Sequence, residues 1–207
     1  MILSDHDIRR NITEGKIAIK PAPNYEDQLG SCSIDFHLGN TFKIFNHSKY
    51  PYIDPRNPSL SSEIMKDIVV STGEAFIMRP GEFCLATTTE SLKIADDLLG
   101  RLEGRSSLGR IGIIVHSTAA RFDPGWDGTP VLELGNIGVL PVALYPGMKI
   151  CSFTFEELSS PSDNPYNKRK NAKYANQKSP DASRISQEMS SEEPRYIKHG
   201  KKSVRVK

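Results

Sequence analysis

Cysteine is scarce: the 207-residue chain holds three, Cys32, Cys84 and Cys151, widely spaced and odd in number. That argues against a disulfide framework and against a C-x-x-C metal clip, and it fits a reducing cytoplasm. A strong charge imbalance is also missing. The formal net charge is +2, so the electrostatic footprint of a dedicated nucleic-acid binder is absent, while a small anion remains a fitting partner. No stretch approaches the ~18 apolar residues needed to cross a bilayer, and the opening MILSDHDIRR lacks the apolar run of a signal peptide. The expectation is a soluble protein with no membrane partner. Tryptophan occurs once, at position 126, and glycine nearly stops after Met148, Gly200 being the only one left. No internal repeat is present.

What the chain has instead is regular punctuation. Ser4 followed by Asp7 resembles a capping box, Ile8 and Ile12 share a helical face, and Gly15 is a stop signal, so a short N-terminal helix is expected. From about residue 30 to 155, short apolar runs alternate with Thr72-Gly73, Pro80-Gly81, Pro124-Gly125, Asp127-Gly128 and Pro146-Gly147. Such runs are too brief for helices and match strands joined by tight turns. The body reads as mostly β, a distorted barrel or jelly-roll-like sandwich, with a helical turn expected in the loop from Pro58 to Asp67. Residues 161–178, PSDNPYNKRKNAKYANQK, are polar and basic but keep Tyr166 and Tyr174, and read as an arm lying on the β body. Beyond Ser179 the composition predicts a disordered basic tail, because few apolar anchors are left to offset ordering entropy.

Three stretches carry chemistry. In GRSSLGR, residues 104–110, Arg105 and Arg110 bring permanently charged forks of donors, and Ser106 and Ser107 bring hydroxyls and backbone N–H groups in a Gly-bounded loop. The inventory suits phosphate oxygens; taken alone, it equally describes a solvated turn. In PVLELGN, residues 130–136, alternation sets Val131 and Glu133 on one face and Leu132 and Leu134 on the other. Glu133 either faces solvent or has an assigned partner, for which the arginines of GRSSLGR are the obvious choice. In TAARFDPGWDG, residues 118–128, Asp123 stands between Phe122 and Trp126 at a Pro-Gly turn. The two rings either pack in the core or wall a pocket in which Asp123 accepts a hydroxyl hydrogen bond. His116, in the apolar run IGIIVHST, reads as a structural histidine with satisfied nitrogens, outside any site.

Taken together, GRSSLGR, HSTAARFDPGW (116–126), VLEL (131–134) and NPYNKRKNAKYANQ (164–177) closely resemble dCTP deaminases of the dUTPase-like superfamily. The resemblance runs from the N-terminal helix to about residue 178 and is densest from 97 to 177. It implies the distorted barrel or jelly-roll fold of that superfamily, a homotrimer with sites at subunit interfaces, and an arm, 161–178, that closes over the nucleotide. It implies that Arg105, Ser106 and Ser107 bind the triphosphate, with Leu108, Gly109 and Arg110 among the contacts and Tyr166, Lys173 and Gln177 supplied by the arm. Asp123 would accept from the deoxyribose 3′-hydroxyl, and the strand Val131, Leu132, Glu133 would address the cytosine edge. Glu133 would be the catalytic carboxylate, with Ser106, Arg110 and the carbonyl of Ala119 placing it and the attacking water. Magnesium would ride on the triphosphate. Zinc is not expected: the H-x-E…P-C-x-x-C pattern of zinc deaminases is missing in both halves.

The implied reaction is hydrolysis of dCTP to dUTP and ammonia, supplying dUMP for thymidylate synthesis, with dTTP as a feedback inhibitor. One departure bears on the product and another on the pocket. Ala120 stands where single-activity deaminases have His, as in relatives that also cleave the triphosphate, whereas Arg121 matches the single-activity type. Gly135 stands where some members have a larger residue, which implies a looser pocket wall beside Glu133. A bifunctional enzyme forming dUMP and diphosphate, and a trimer that binds pyrimidine nucleotides without turnover, are the alternatives.

Overall fold

The computed structural model describes residues 1–46, 52–56 and 64–189. Helix α1, Asp5–Thr13, begins as its capping signal requires: Ser4 Oγ accepts the Asp7 N–H at 3.3 Å and hydrogen-bonds its carboxylate at 3.0 Å. Ile8 is fully buried, Ile12 packs beside it, and Gly15 takes φ +75° just after the helix. A second short helix, α2, spans Tyr25–Gln28.

The rest is strand and turn. In chain order the strands are β1 Ile17–Lys20, β2 Ile34–Phe45, β3 Met65–Val69, β4 Phe76–Met78, β5 Phe83–Thr88, β6 Ser91–Ile94, β7 Leu98–Gly104, β8 Ile113–Ile114, β9 Arg121–Phe122, β10 Asp127–Gly128, β11 Val131–Asn136, β12 Val142–Leu144 and β13 Lys149–Glu157. The main sheet runs β8-β11-β5-β2-β13-β7-β9, with β3 also on β2; β1-β6-β10 and β4-β12 form smaller sheets. The architecture is mostly β, a curled half-barrel with few helices, as the turn spacing predicted. Its corner lies in β2, whose first residues pair with β13 and whose later residues pair with β5 and β3, the β5 register slipping between Leu38 and Phe42. Gly39 makes this possible. A Cβ there would stand 2.9 Å from the Thr87 carbonyl oxygen, so any side chain would push β5 off the corner.

The core is built by the inward faces of these strands. Phe36, Phe153 and Phe155 are fully buried, and Phe122 and Trp126 nearly so. Each buried ring of this size contributes about 1.5–3 kcal/mol. Two of the three thiols share this core: burial pushes Cys84 up to about 12 and Cys151 well above its ordinary value, whereas Cys32 is exposed. Alkylation of the native chain at about pH 8 is therefore expected to modify Cys32 alone, the other two reacting only after denaturation. Rapid native modification of a second thiol would show that β5 or β13 opens.

Two sequence expectations meet a different outcome or none. The helical turn expected from Pro58 to Asp67 falls mostly outside the described residues, and its end, from Met65, is extended in β3. Residues 179–189, read from composition as the start of a disordered tail, lie against the body and include a helical turn at Ser186–Met189. The reason is that hydrogen bonds to the arm supplement the few apolar anchors. Tyr174 Oη accepts the Arg184 N–H at 3.1 Å, and Ser186 is buried. Residues from 190 on lie outside the described part. Among the described residues no helix is long and apolar enough to cross a membrane.

Candidate active site

Alternation along β11 does what its sequence requires: Leu132 and Leu134 are fully buried, while Val131 and Glu133 sit half-buried on the opposite face. β11 is covered by β5 on one side, with Glu133 opposite Leu85. On the other side β8 pairs only through Gly135 and Asn136, so the chain leaves the sheet after Ile114 and passes in front of Glu133. There the Ser117 N–H donates to Glu133 Oε2 at 3.2 Å. Gly135 is not forced by space, since a Cβ there would meet Ile114 at an ordinary 3.9 Å.

Asp123 is presented by a turn. Pro124 pre-sets its second position, Gly125 takes φ +77° at the third, and the Trp126 N–H closes the loop on the Asp123 carbonyl at 3.0 Å, the signature of a type II turn. Phe122 and Trp126 meet edge to face at 4.7 Å behind it. Both readings of these rings hold at once: they are buried in the core, and their edges wall a cavity. That cavity, of about 470 Å³, is also lined by Asp123, Val131, Glu133 and Ala119. The arm closes it. Tyr166, Tyr174 and Gln177 line it, as do residues 181–183, 185 and 186. The Tyr166 N–H donates to Pro124 O at 2.7 Å, the Tyr174 N–H to Tyr166 Oη at 3.0 Å, and the Thr129 N–H to Gln177 O at 2.7 Å. The volume falls in the range of small-molecule pockets, and Asp123 and Glu133 are among the carboxylates on its largely apolar wall.

The phosphate-type loop is elsewhere in the chain. Arg105 precedes a single helical turn, Ser106–Gly109, on which Ser106 and Ser107 are exposed and Leu108 is buried. Arg105, Ser106 and Gly109 line a second concavity of about 460 Å³ with Ala120 and His116. His116 alone among the residues named so far borders both. The expected partnership of these arginines with Glu133 is not made within one chain: among the described residues no ion pair joins Glu133 to Arg105 or Arg110. Arg105 is paired with Asp35 instead. Strand order explains this, because Asp35 and Glu103 both register on Ser152 across β2-β13-β7, which brings the residue two beyond Glu103 to Asp35. Lys149 approaches the same carboxylate at 3.7 Å and bonds Asp27 at 2.7 Å, holding the Asp27 carboxyl below its ordinary value.

Further expectations shift at the level of side chains. Leu108 and Leu132 were expected among the nucleotide contacts, but both side chains belong to the core, leaving only their backbone to offer. Lys173 is ion-paired with Glu188 from the segment beyond the arm. His116 does not have satisfied nitrogens: its Nδ1 is buried with no hydrogen-bond partner among the described residues. Asp35, Arg169 and residues 181–183, 185 and 186 were not among the expected site residues; Arg169 lies in the 164–177 motif, but nothing local sets it apart from its basic neighbours.

The fold is a curled half-barrel β fold with an enclosed cavity, and the chain belongs to the dCTP deaminase-like family, whose model matches residues 2–158. The dCTP deaminase of Thermomicrobium roseum is 58% identical over 195 residues, covering 94% of this chain and 99% of that protein. A dCTP deaminase, dUMP-forming, from Dictyoglomus thermophilum is 51% identical over 185 residues, covering 89% of this chain and 95% of that one. Among solved structures, 2′-deoxycytidine 5′-triphosphate deaminase from Agrobacterium tumefaciens shares the fold with a TM-score of 0.60 at 20% identity. That match covers 75% of this chain and 48% of the other, so the chain spans about half the length of that structure.

Proposed function

We propose that the protein hydrolyses dCTP to dUTP and ammonia. The observation that carries the reading is Glu133, with one carboxylate oxygen bound by the Ser117 N–H and its side chain on the wall of a nucleoside-sized cavity that Asp123 and Tyr166 share. Water adds to C4 of cytosine, its proton passing to Glu133 and on to ring N3. The C4–N4 bond then breaks as the new C4 hydroxyl gives its proton, by way of Glu133, to the departing nitrogen, leaving the C4 carbonyl of uracil and ammonia. General acid–base groups of this kind contribute about 10²–10⁴-fold. Asp123 accepts from the sugar hydroxyl, and the triphosphate supplies binding energy remote from C4 that aligns the base.

The donors of the Arg105–Arg110 loop suit phosphate oxygens, and their cleft meets the Glu133 cavity at His116 without including Glu133 or Asp123 within one chain. That division of groups suits a homotrimer in which Arg105, Ser106, Ser107 and Arg110 of one copy complete the cavity of the next. Exposed Ile111, Ile137, Val139 and Leu140 near this loop suit burial in such a contact. Magnesium enters with the substrate, held by triphosphate oxygens. The loop's own donors are cations and hydroxyls, and among the described residues no three His, Cys, Asp or Glu side chains converge. Product formation supplies dUMP for thymidylate synthesis, for which dTTP is the fitting feedback inhibitor, and the free thiols fit a cytoplasmic setting.

Chromatography of the nucleotide products at early times tests the reaction. dUTP accumulating first, with equimolar ammonia, is expected. dUMP as primary product would replace this reading with the bifunctional one, which Ala120 and the dUMP-forming relative at 51% identity favour. Binding of dCTP without ammonia release would leave a non-catalytic nucleotide binder. Arg105→Lys keeps the charge but loses the fork, so dCTP affinity is expected to fall about tenfold while deoxycytidine affinity is unchanged. Titration calorimetry with both ligands measures this, and equal dCTP affinity would assign Arg105 to the Asp35 pair alone.

A further inference from the structure

Arg169 is engaged on three sides. Its Nε donates to Asn164 O at 3.1 Å, its guanidinium lies 6.0 Å from the Tyr166 ring centroid, and one terminal nitrogen donates to Asp123 Oδ2 at 2.7 Å. The other Asp123 oxygen accepts from Arg121 Nε at 2.8 Å. Each carboxylate oxygen is thus held by a guanidinium from a different segment, which fixes the plane of the group. An ionised carboxylate has about four acceptor positions. Two are taken, and the others are left for the cavity that Asp123 lines.

The arm does not depend on this ion pair for its place. The Tyr166 N–H bonds Pro124 O, and Gly125 lies so close under the arm that a Cβ there would stand 2.8 Å from Pro165 Cβ. Lys168 adds a bond to Asp96 at 3.2 Å. With its side chain 39% exposed, Arg169 also contributes little to stability through the pair. Its effect lies in where it aims Asp123.

We propose that Arg169 is a positioning residue that acts through Asp123, setting the carboxylate so that it recognises the 3′-hydroxyl of the nucleotide's sugar. This rests on the role given to Asp123 under Proposed function. The consequence concerns discrimination between substrates. An acceptor held in one orientation rewards a hydroxyl donor at one place, and an acceptor free to rotate rewards it less.

The test compares dCTP with 2′,3′-dideoxy-CTP, which lacks that hydroxyl, in steady-state ammonia release by the full chain and its Arg169→Gln, Arg169→Lys and Asp123→Asn variants. Arg169→Gln is expected to lose about tenfold in kcat/KM on dCTP and less than about twofold on the dideoxy substrate, the scale of one charge-assisted hydrogen bond. Arg169→Lys, which keeps a charged donor without the fork, should recover part of the preference. Asp123→Asn should cost less preference in the Arg169→Gln background than it costs alone, because the two act on one contact. The thermal midpoint is expected to stay within about 2 °C of the unaltered protein. An equal fall on both substrates, or a preference kept in full by Arg169→Gln and Arg169→Lys, would overturn the positioning role while leaving the deaminase reading intact. If the unaltered protein itself shows no preference for dCTP, the sugar role of Asp123 falls and this inference with it. No ammonia from dCTP would defeat the proposed function instead.

Discussion

Glu133→Gln is expected to lower dCTP turnover by about 10² or more, the usual scale for an acid–base group, while nucleotide binding persists. The substitution is nearly isosteric and keeps a carbonyl oxygen that can accept the Ser117 N–H, so the contact that orients the side chain survives. Val131 and the rings of Phe122 and Trp126 are untouched, and the cavity keeps its shape. What is lost is the capacity to take a proton from water and pass it on. Turnover measured by ammonia release, together with dCTP affinity by calorimetry, separates the outcomes. Unchanged turnover would remove Glu133 from the chemistry, and turnover and affinity falling together would make it a binding group.

The second large effect is structural. Phe153→Ala should cost about 3–5 kcal/mol, the range for deleting a buried aromatic ring. Phe153 is fully buried on β13, with ring centroids 4.7 Å from Phe36, 4.9 Å from Phe122 and 6.4 Å from Phe155. Its strand neighbours, Ile34 on β2 and Leu102 on β7, are held by backbone pairing on both sides. They cannot close over the void, so the cavity penalty is paid nearly in full. For a chain of this length the thermal midpoint should drop by about 10 °C, measured at fixed protein concentration because assembly shifts it. The loss also reaches the site: Phe122 rests on Phe153 and precedes Asp123, so KM for dCTP should rise. A midpoint within a degree or two of the unaltered protein would show a core able to collapse around the missing ring.

Local sequence already spoke for the features whose causes are local. Ser4 and Asp7 announced α1 because a cap is made within one turn. Asp123-Pro124-Gly125-Trp126 announced a tight turn because Pro and Gly determine their own dihedrals. The alternation of Val131 to Leu134 assigned faces because strand geometry has period two. The resemblance to dCTP deaminases, carried by four ordered motifs, agrees with the family match over residues 2–158, which spans the first three of them, and with the relative that is 58% identical over 195 residues. Composition misled where it treated a segment as isolated. Residues 179–189 have few apolar anchors of their own, yet Arg184 finds both the Tyr174 hydroxyl and the Lys173 carbonyl on the arm. His116 was judged by its apolar neighbours, which say nothing about whether a ring nitrogen meets a donor or acceptor across the chain.

Taken alone, then, the order of residues determined the strand-and-turn grammar, the short capped helix, the carboxylate on the open face of β11 and the family. Tertiary structure alone decided partnership: Arg105 with Asp35 rather than Glu133, Arg169 with Asp123, and the Arg105 loop and Glu133 in two clefts that meet at His116. The physical reason is distance along the chain. Hydrogen bonds within a turn and the alternation of a strand are read within a few residues, whereas an ion pair between segments 46 or 70 positions apart depends on strand order and register, which no local pattern encodes.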